Sequence, residues 1–352
     1  MRSLSRAPAR LAAAVATALA VLAPPAAHAD EQAQPVLADG FGLTQVGSAT
    51  GTGTDFVLTV TTAQVAGPHH LKIILPAGYD SHPAKRYPVL YFLHGSPDDP
   101  AAQGYPALTA SSSVITVIPD GGHRGWYANW RDPNTVLGAQ NWENFHLDQV
   151  IPFIDANLRT IAAKKGRAVA GVSMGGFGAL HYAEDRPDLF SQVASLSGDI
   201  DLSVDSMDLR MVAVATVTNA VGAICASASG ADNCTQDSYA PGVDSDALFG
   251  SPYPVFDADR LWNAADPSTH VDKLAGVGVS IYVGNNDALE FWLEGAAKHV
   301  KDHLDALRMP YYYVDYGNGA TWGTNCNGGH NGYCWEQDLV DYLSRLEKAF
   351  AA

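Results

Sequence analysis

Short apolar runs alternate with helical patterns along most of the chain. Runs of apolar and β-branched residues are followed, each in turn, by segments whose apolar residues recur at helical spacing. The predicted strands are 56–65, 70–75, 89–93, 114–118, 193–196, 279–283 and 311–314, and the predicted helices include 141–158, 289–307 and 335–350. Strands that alternate with helices form a mostly parallel sheet covered on both faces. The pattern therefore predicts a doubly wound α/β fold, with ligands at the carboxyl ends of the strands.

Two parts of the pattern depart from this alternation. Gly67 and Pro68 separate the first two runs, which favours an antiparallel hairpin at one edge of the sheet. Residues 201–274 are rich in small residues, acids and prolines and have no clear period. We interpret them as a partly helical cap or insertion over the functional site.

The clearest chemical signal is a serine flanked by glycines at 171–175, where an apolar run ends and a helix of small residues begins. This G-x-S-x-G spacing is typical of a nucleophile elbow, a sharp turn that holds the serine in a strained conformation at the end of a strand. The alternative is a glycine-rich turn with an ordinary serine. Because a strand precedes the turn and a helix follows it, we predict that Ser173 is a catalytic nucleophile.

A serine hydroxyl is a weak nucleophile until a base takes its proton. Of the 12 histidines, His330 is the only one in a loop between the last predicted strand and the closing helix. The serine, acid, histidine order of such folds favours it as the base over a solvated loop histidine. The acid is expected just after 279–283, where Asp287, Glu290 and Glu294 compete. Asp287 and Glu290 also fit a helix capping box, so spacing alone leaves the acid open.

Two further groups of residues complete the predicted site. Ser96, in the loop after the strand 89–93, and Met174, after the nucleophile, are predicted to offer backbone N–H groups to an oxyanion. Trp126 and Trp130 lie in an aromatic-rich loop region and are predicted to form a wall for an acyl or aryl group. Ordinary packing of these aromatic residues is an equal alternative.

The N-terminus has the three parts of a secretory signal peptide. Arginines precede the apolar run 11–22, and Ala27-His28-Ala29 follows it. We expect cleavage after Ala29, a secreted protein and a single catalytic domain over 30–352. The apolar run is too short to span a bilayer, and no later stretch is long enough, so no transmembrane segment is expected.

Charge and cysteine usage narrow the possible partners. The net charge of −16 would become −19 without the three arginines of the signal segment, and so acidic a surface disfavours nucleic acid and anionic membranes.

The four cysteines form two close pairs, Cys225 with Cys234 and Cys326 with Cys334. Export favours disulfides, and neither pair has the spacing of a zinc site. We predict no metal and no cofactor.

With these motifs together, residues from about 70 to 346 resemble the putative esterase family of α/β-hydrolases, which includes antigen 85 type mycolyltransferases, feruloyl esterases and S-formylglutathione hydrolases. The resemblance rests on Leu93-His94-Gly95, Gly-Val-Ser-Met-Gly-Gly at 171–176, Trp142-Glu143, and His330 followed by Trp335. It implies an α/β-hydrolase fold with Ser173 as nucleophile, His330 as base, and the backbone of Ser96 and Met174 as oxyanion donors. Mycolyltransferase-like relatives imply Glu290 as the acid, and feruloyl esterase-like relatives imply Asp287.

One departure bears on the substrate. The mycolyltransferases usually read His-Ser-Trp where this chain has His330-Asn331-Gly332, which argues against transfer to trehalose but not against ester chemistry. The sequence thus predicts a secreted serine esterase or acyltransferase that uses Ser173, Glu290 and His330 on a small-molecule or glycolipid ester. The alternatives are a non-catalytic secreted binding protein on the same fold and a serine peptidase.

Overall fold

A single ten-stranded sheet organises the residues that the structure describes. The structure is a computed structural model, and it describes residues 34–220, 239–255 and 259–352. The strands are β1 (Thr44–Gln45), β2 (Thr50–Gly51), β3 (Asp55–Thr61), β4 (Pro68–Ile74), β5 (Val89–Leu93), β6 (Ile115–Pro119), β7 (Arg167–Val172), β8 (Gln192–Leu196), β9 (Gly278–Gly284) and β10 (Tyr311–Gly317).

The sheet is parallel over most of its width. Its strand order is β1-β3-β4-β6-β5-β7-β8-β9-β10, with β2 paired to β3. All pairs among β5 to β10 are parallel, whereas β1 to β4 are antiparallel, and β4 joins β6 antiparallel. The antiparallel hairpin predicted around Gly67 is confirmed as β3 and β4. Strands β5, β6 and β7 are buried at every position, as their continuous apolar runs predict.

The helices alternate with the parallel strands. A π-helix (Asn144–Val150) runs directly into α2, so the helix predicted over 141–158 changes its winding just before Pro152. A proline cannot donate the backbone hydrogen bond that a regular helix needs at that position. The α-helices are α1 (Pro106–Ala110), α2 (Ile151–Asn157), α3 (Met174–Asp185), α4 (Met207–Thr218), α5 (Asp259–Ala265), α6 (Ala288–Ala306) and α7 (Gly332–Ala351).

Apolar side chains cover both faces of the sheet, because successive residues of a strand point to opposite faces. In β7, Val169 belongs to a large cluster that also holds Phe177 of α3. Its neighbour Ala170 belongs to a smaller cluster on the other face, with Leu339 and Leu343 of α7. Helices on both faces of a mostly parallel sheet confirm the predicted doubly wound class.

Several predictions fall wholly or partly outside the described residues. The signal peptide at 1–29 and the pair Cys225 and Cys234 lie outside them. The described parts of 201–274 lie between β8 and β9 and consist of α4, α5, short 3-10 helices and irregular chain; their role as a cap stays a prediction. The described residues belong to one compact unit, Gln32–Ala352. Among the helices described, none has the length and apolar character needed to cross a membrane.

Candidate active site

Ser173 stands at a sharp turn between β7 and α3. Its φ of 54° and ψ of −125° lie in a region that side-chain-bearing residues rarely adopt. Its neighbours are held too closely for any side chain: a Cβ on Gly175 would lie 2.1 Å from the carbonyl oxygen of Leu93, and one on Gly171 would lie 2.1 Å from that of Gly175. Glycine is therefore required on both sides of the serine. The elbow geometry predicted from the sequence is present.

A hydrogen-bonded chain connects Ser173 to two distant residues. His330 Nε2 lies 2.9 Å from Ser173 Oγ, and His330 Nδ1 lies 2.7 Å from Glu290 Oε1. Glu290 is fully buried, and its second oxygen accepts a hydrogen bond of 3.0 Å from the backbone N–H of Gly284. An ionised carboxylate only accepts, so Nδ1 carries the proton and Nε2 is left to accept from the serine. The structure thus brings together the three residues predicted as nucleophile, base and acid.

Asp287, the alternative acid, has a different position. One of its oxygens accepts the backbone N–H of Glu290 at 2.8 Å, which makes Asp287 the N-cap of α6. The other accepts the backbone N–H of His330 at 2.7 Å. Glu294 lies apart from the site and accepts from the side chain of Asn285 at 3.1 Å. Asp287 therefore contacts the backbone of the histidine loop, whereas Glu290 contacts the imidazole.

The electrostatics of the site depend on buried carboxylates. Burial lowers the pKa of His330, but the hydrogen bond and charge of Glu290, with the charges of Asp199 and Asp287, outweigh it and leave the pKa above its ordinary value. Burial raises the pKa of Asp199 to about 7, against the opposing charge of His330. Asp199 is 2% exposed, and its Oδ1 has no hydrogen-bond partner among the described residues. Sequence reasoning did not identify Asp199, although its position three residues after β8 was a usable signal.

The two predicted oxyanion donors flank the elbow. Met174 opens α3, so its N–H lies at the positive end of the helix dipole. A Cβ on Gly95 would come within 3.4 Å of Ser173 Cβ, which places the loop carrying Ser96 beside the nucleophile. The Ser96 hydroxyl is held by the carbonyl oxygen of His123 and, at 2.8 Å, by Tyr239 Oη. Within the described residues, neither predicted donor N–H has a protein acceptor.

A disulfide encloses the histidine loop. Cys326 and Cys334 are bonded, as predicted, and lie on either side of His330. The ring of Trp335 meets that of His330 edge-on, with centroids 4.8 Å apart. Asn331 caps α7 by accepting the backbone N–H of Tyr333 at 3.1 Å. The covalent bond, the ring contact and the cap all restrict the motion of the imidazole.

Trp126 and Trp130, predicted as a substrate wall, lie in the packed core. They are 1% and 5% exposed. Trp126 donates to Thr216 Oγ1 at 2.9 Å and packs edge-on against Phe177. Trp130 donates to the carbonyl oxygen of Gly125 at 3.0 Å. Because both indole N–H groups are satisfied inside the protein, this placement favours the packing alternative.

Comparison with known proteins identifies the family. The sequence model of the family described as putative esterase matches residues 62–346. The chain belongs to the putative esterase family. It is similar to Esterase Rv1288 of Mycobacterium tuberculosis, with 40% identity over 172 residues that make up 47% of this chain but only 37% of that protein. It is also similar to the diacylglycerol acyltransferase/mycolyltransferase Ag85B of Mycobacterium avium, with 25% identity over 269 residues and 72% of each chain.

A solved structure supports the fold. That of a ferulic acid esterase matches with a TM-score of 0.55 at 19% identity and covers 83% of this chain and 96% of that one. The α/β-hydrolase fold and the resemblance to the putative esterase family, both expected from the sequence, are thus confirmed.

Proposed function

We propose that this member of the putative esterase family is a serine esterase or acyltransferase that forms an acyl-enzyme on Ser173. The observation that carries the proposal is the unbroken hydrogen-bonded chain from Glu290 through His330 to Ser173, at a strained elbow. A non-catalytic binding protein on the same fold would have no need to maintain this strained geometry.

The reaction follows from the positions of the groups. As Ser173 Oγ attacks the ester carbonyl, its proton passes to His330 Nε2, and the resulting imidazolium is stabilised by Glu290. The negative charge that develops on the carbonyl oxygen is bound by the backbone N–H groups of Ser96 and Met174; one such donor is typically worth about a hundredfold to a thousandfold in rate. His330 then gives the proton to the leaving alcohol. Water or another hydroxyl group takes the acyl group by the same steps in reverse.

Labelling with a fluorophosphonate tests the nucleophile. The probe should modify Ser173, as located by peptide mapping, and Ser173→Ala should lose both label and turnover. Ser191→Ala changes a partly exposed serine elsewhere in the fold and should keep both. A label found on another residue would exclude Ser173 as the nucleophile.

A substrate panel tests the reaction class. Short-chain nitrophenyl esters should be cleaved and peptides should not, which separates an esterase from a serine peptidase. Glycerol and sugars added as competing acceptors then distinguish transfer from hydrolysis by their acylated products. His330→Ala should reduce ester turnover about a thousandfold or more, because members of a triad act as a unit.

We also propose that the protein is exported. The arginines, apolar run and Ala27-His28-Ala29 of the first 29 residues support this, as does the disulfide at Cys326 and Cys334. Expression of the full chain in a secreting host should release a protein whose N-terminus is Asp30. An uncleaved chain retained in the cytoplasm would contradict the proposal.

A further inference from the structure

Three metal-ligating side chains converge at the end of α3 that is remote from Ser173. They are Glu143, just before the π-helix, and His181 and Asp185, one turn apart on α3. One ligand atom of each lies within 4.8 Å of the other two. His181 Nε2 and Asp185 Oδ2 are 3.6 Å apart. The spacing of His181 and Asp185 fits one helix face, but only the tertiary fold adds Glu143.

The imidazole of His181 is buried and points into this cluster. Its side chain is 9% exposed, and its ring stacks on Phe177 with centroids 5.3 Å apart and planes 16° from parallel. Among the described residues, neither ring nitrogen makes a hydrogen bond. Nε2 instead faces Asp185 Oδ2 at 3.6 Å, so the ring presents a nitrogen to the carboxylates of the cluster.

Among the described residues, no cation is paired with the carboxylate oxygens that face the histidine. Lys273 Nζ lies 3.5 Å from Oδ1 of Asp185, which leaves Oδ2 facing His181. Glu143 accepts a weak hydrogen bond of 3.4 Å from Asn129 and, within the described part of the chain, has no cationic group within 4 Å. Two acidic groups and an imidazole thus meet, and Lys273 is paired with the oxygen of Asp185 that is turned away from His181.

We propose that Glu143, His181 and Asp185 form a binding site for a divalent first-row transition metal of the Zn²⁺ type. Zn²⁺ is bound by imidazole nitrogen and by carboxylate oxygen, with water able to take the fourth position, whereas calcium and magnesium prefer oxygen ligands alone. Metal–ligand bonds of about 2.1 Å in a tetrahedron place neighbouring ligand atoms about 3.4 Å apart. The pair at 3.6 Å is already close to this spacing, and the partly exposed Glu143 and Asp185 can rotate toward it.

The metal would link two helical segments of the fold. Glu143 directly precedes the helical segment 144–157, and His181 and Asp185 belong to the helix that begins after the nucleophile. The ion takes no part in the acyl transfer. An ion that binds only the folded chain stabilises it by mass action.

Cobalt titration tests the site directly. The full chain, dialysed against chelator, is titrated with Co²⁺ while the visible absorption is recorded, and Zn²⁺ is then added as competitor. We expect one equivalent of Co²⁺ to give a band that Zn²⁺ removes. Asp185→Asn, at an exposed position, removes a ligand and should weaken binding by at least the roughly tenfold to hundredfold that loss of an outer-shell partner costs. His181→Gln should have the same effect.

A matched control separates ligation from a general loss of negative charge. Asp188→Asn removes the same charge from an exposed position three residues further on and should bind Co²⁺ as the unmodified chain does. Ester turnover, measured on each variant, reports that the fold is intact. The proposal is wrong if the unmodified chain takes up no stoichiometric Co²⁺, or if folded Asp185→Asn binds it as tightly as Asp188→Asn does.

Discussion

Replacement of Glu290 by glutamine should stop turnover by reversing one hydrogen bond. The backbone N–H of Gly284 donates to one oxygen of Glu290 at 3.0 Å, and His330 Nδ1–H donates to the other at 2.7 Å. In the variant the amide oxygen would remain on Gly284, since only it can accept. The amide NH₂ would then face His330 Nδ1, which must become an acceptor. The proton moves to Nε2, where it prevents the imidazole from accepting the proton of Ser173.

The expected loss is large because two effects combine. The wrong tautomer removes the base, and the imidazolium of the transition state loses its counter-charge. Such a change costs about ten-thousandfold in turnover, which corresponds to about 5.4 kcal/mol of transition-state free energy. Stability should change little, because glutamine has the shape of glutamate and both of its polar groups keep a partner.

Asp287→Asn is the matched control. It lies three residues away and also contacts the histidine loop, but through backbone groups only. An asparagine oxygen can keep one of the two accepted hydrogen bonds, so we expect activity within about tenfold of normal and a loss of about 0.5 to 2 kcal/mol in the free energy of unfolding, the range for a helix cap. Turnover of nitrophenyl esters and thermal melting measure both effects. An inactive Asp287→Asn beside an active Glu290→Gln would refute the reasoning.

Three further predictions concern the same histidine. Because His330 must be neutral to accept a proton and its pKa is raised, kcat/KM should fall as the pH drops through a value above about 6.5, the ordinary histidine pKa. Asp199 carries a negative charge above a pH of about 7, and that charge raises the pKa of His330. Asp199→Asn removes this charge, so the acid limb of a measured pH profile should move to lower pH; an unchanged limb would contradict the coupling. The double variant Cys326→Ser and Cys334→Ser should lose more turnover than its lower melting temperature accounts for, because the opened loop carries His330. Equal turnover of the unmodified chain before and after reduction of its disulfide would contradict this prediction.

Local interactions explain why much of the fold could be predicted from the sequence. The period of each strand and helix reflects which side of it is buried, so β5, β9 and α6 begin and end within a residue or two of the predicted limits. The elbow is also local. The turn at Gly171, Ser173 and Gly175 spans only five residues, so the motif identifies it, although the carbonyl oxygen that excludes a side chain at Gly175 belongs to Leu93 of β5.

Which of Glu290 and Asp287 contacts the imidazole of His330 does not depend on neighbouring residues in the sequence. Both residues lie at the start of one helix, and both fit a cap and a triad equally by spacing. What separates them is the position of His330, forty residues after Glu290, relative to the start of α6. That position depends on how β9, β10 and α7 pack together. The carboxylate of Asp287 accepts the backbone N–H of His330 and also caps α6, a double role that no spacing rule predicts.

The sequence by itself determined the strand and helix pattern, the family resemblance and the serine at its elbow, because each depends on residues close together in the chain. Tertiary structure decided which carboxylate meets His330, that Trp126 and Trp130 lie in the core, and that Glu143 joins His181 and Asp185. These features depend on contacts between segments tens of residues apart. Their geometry is set by the packing of helices on the sheet, and no short stretch of sequence specifies it.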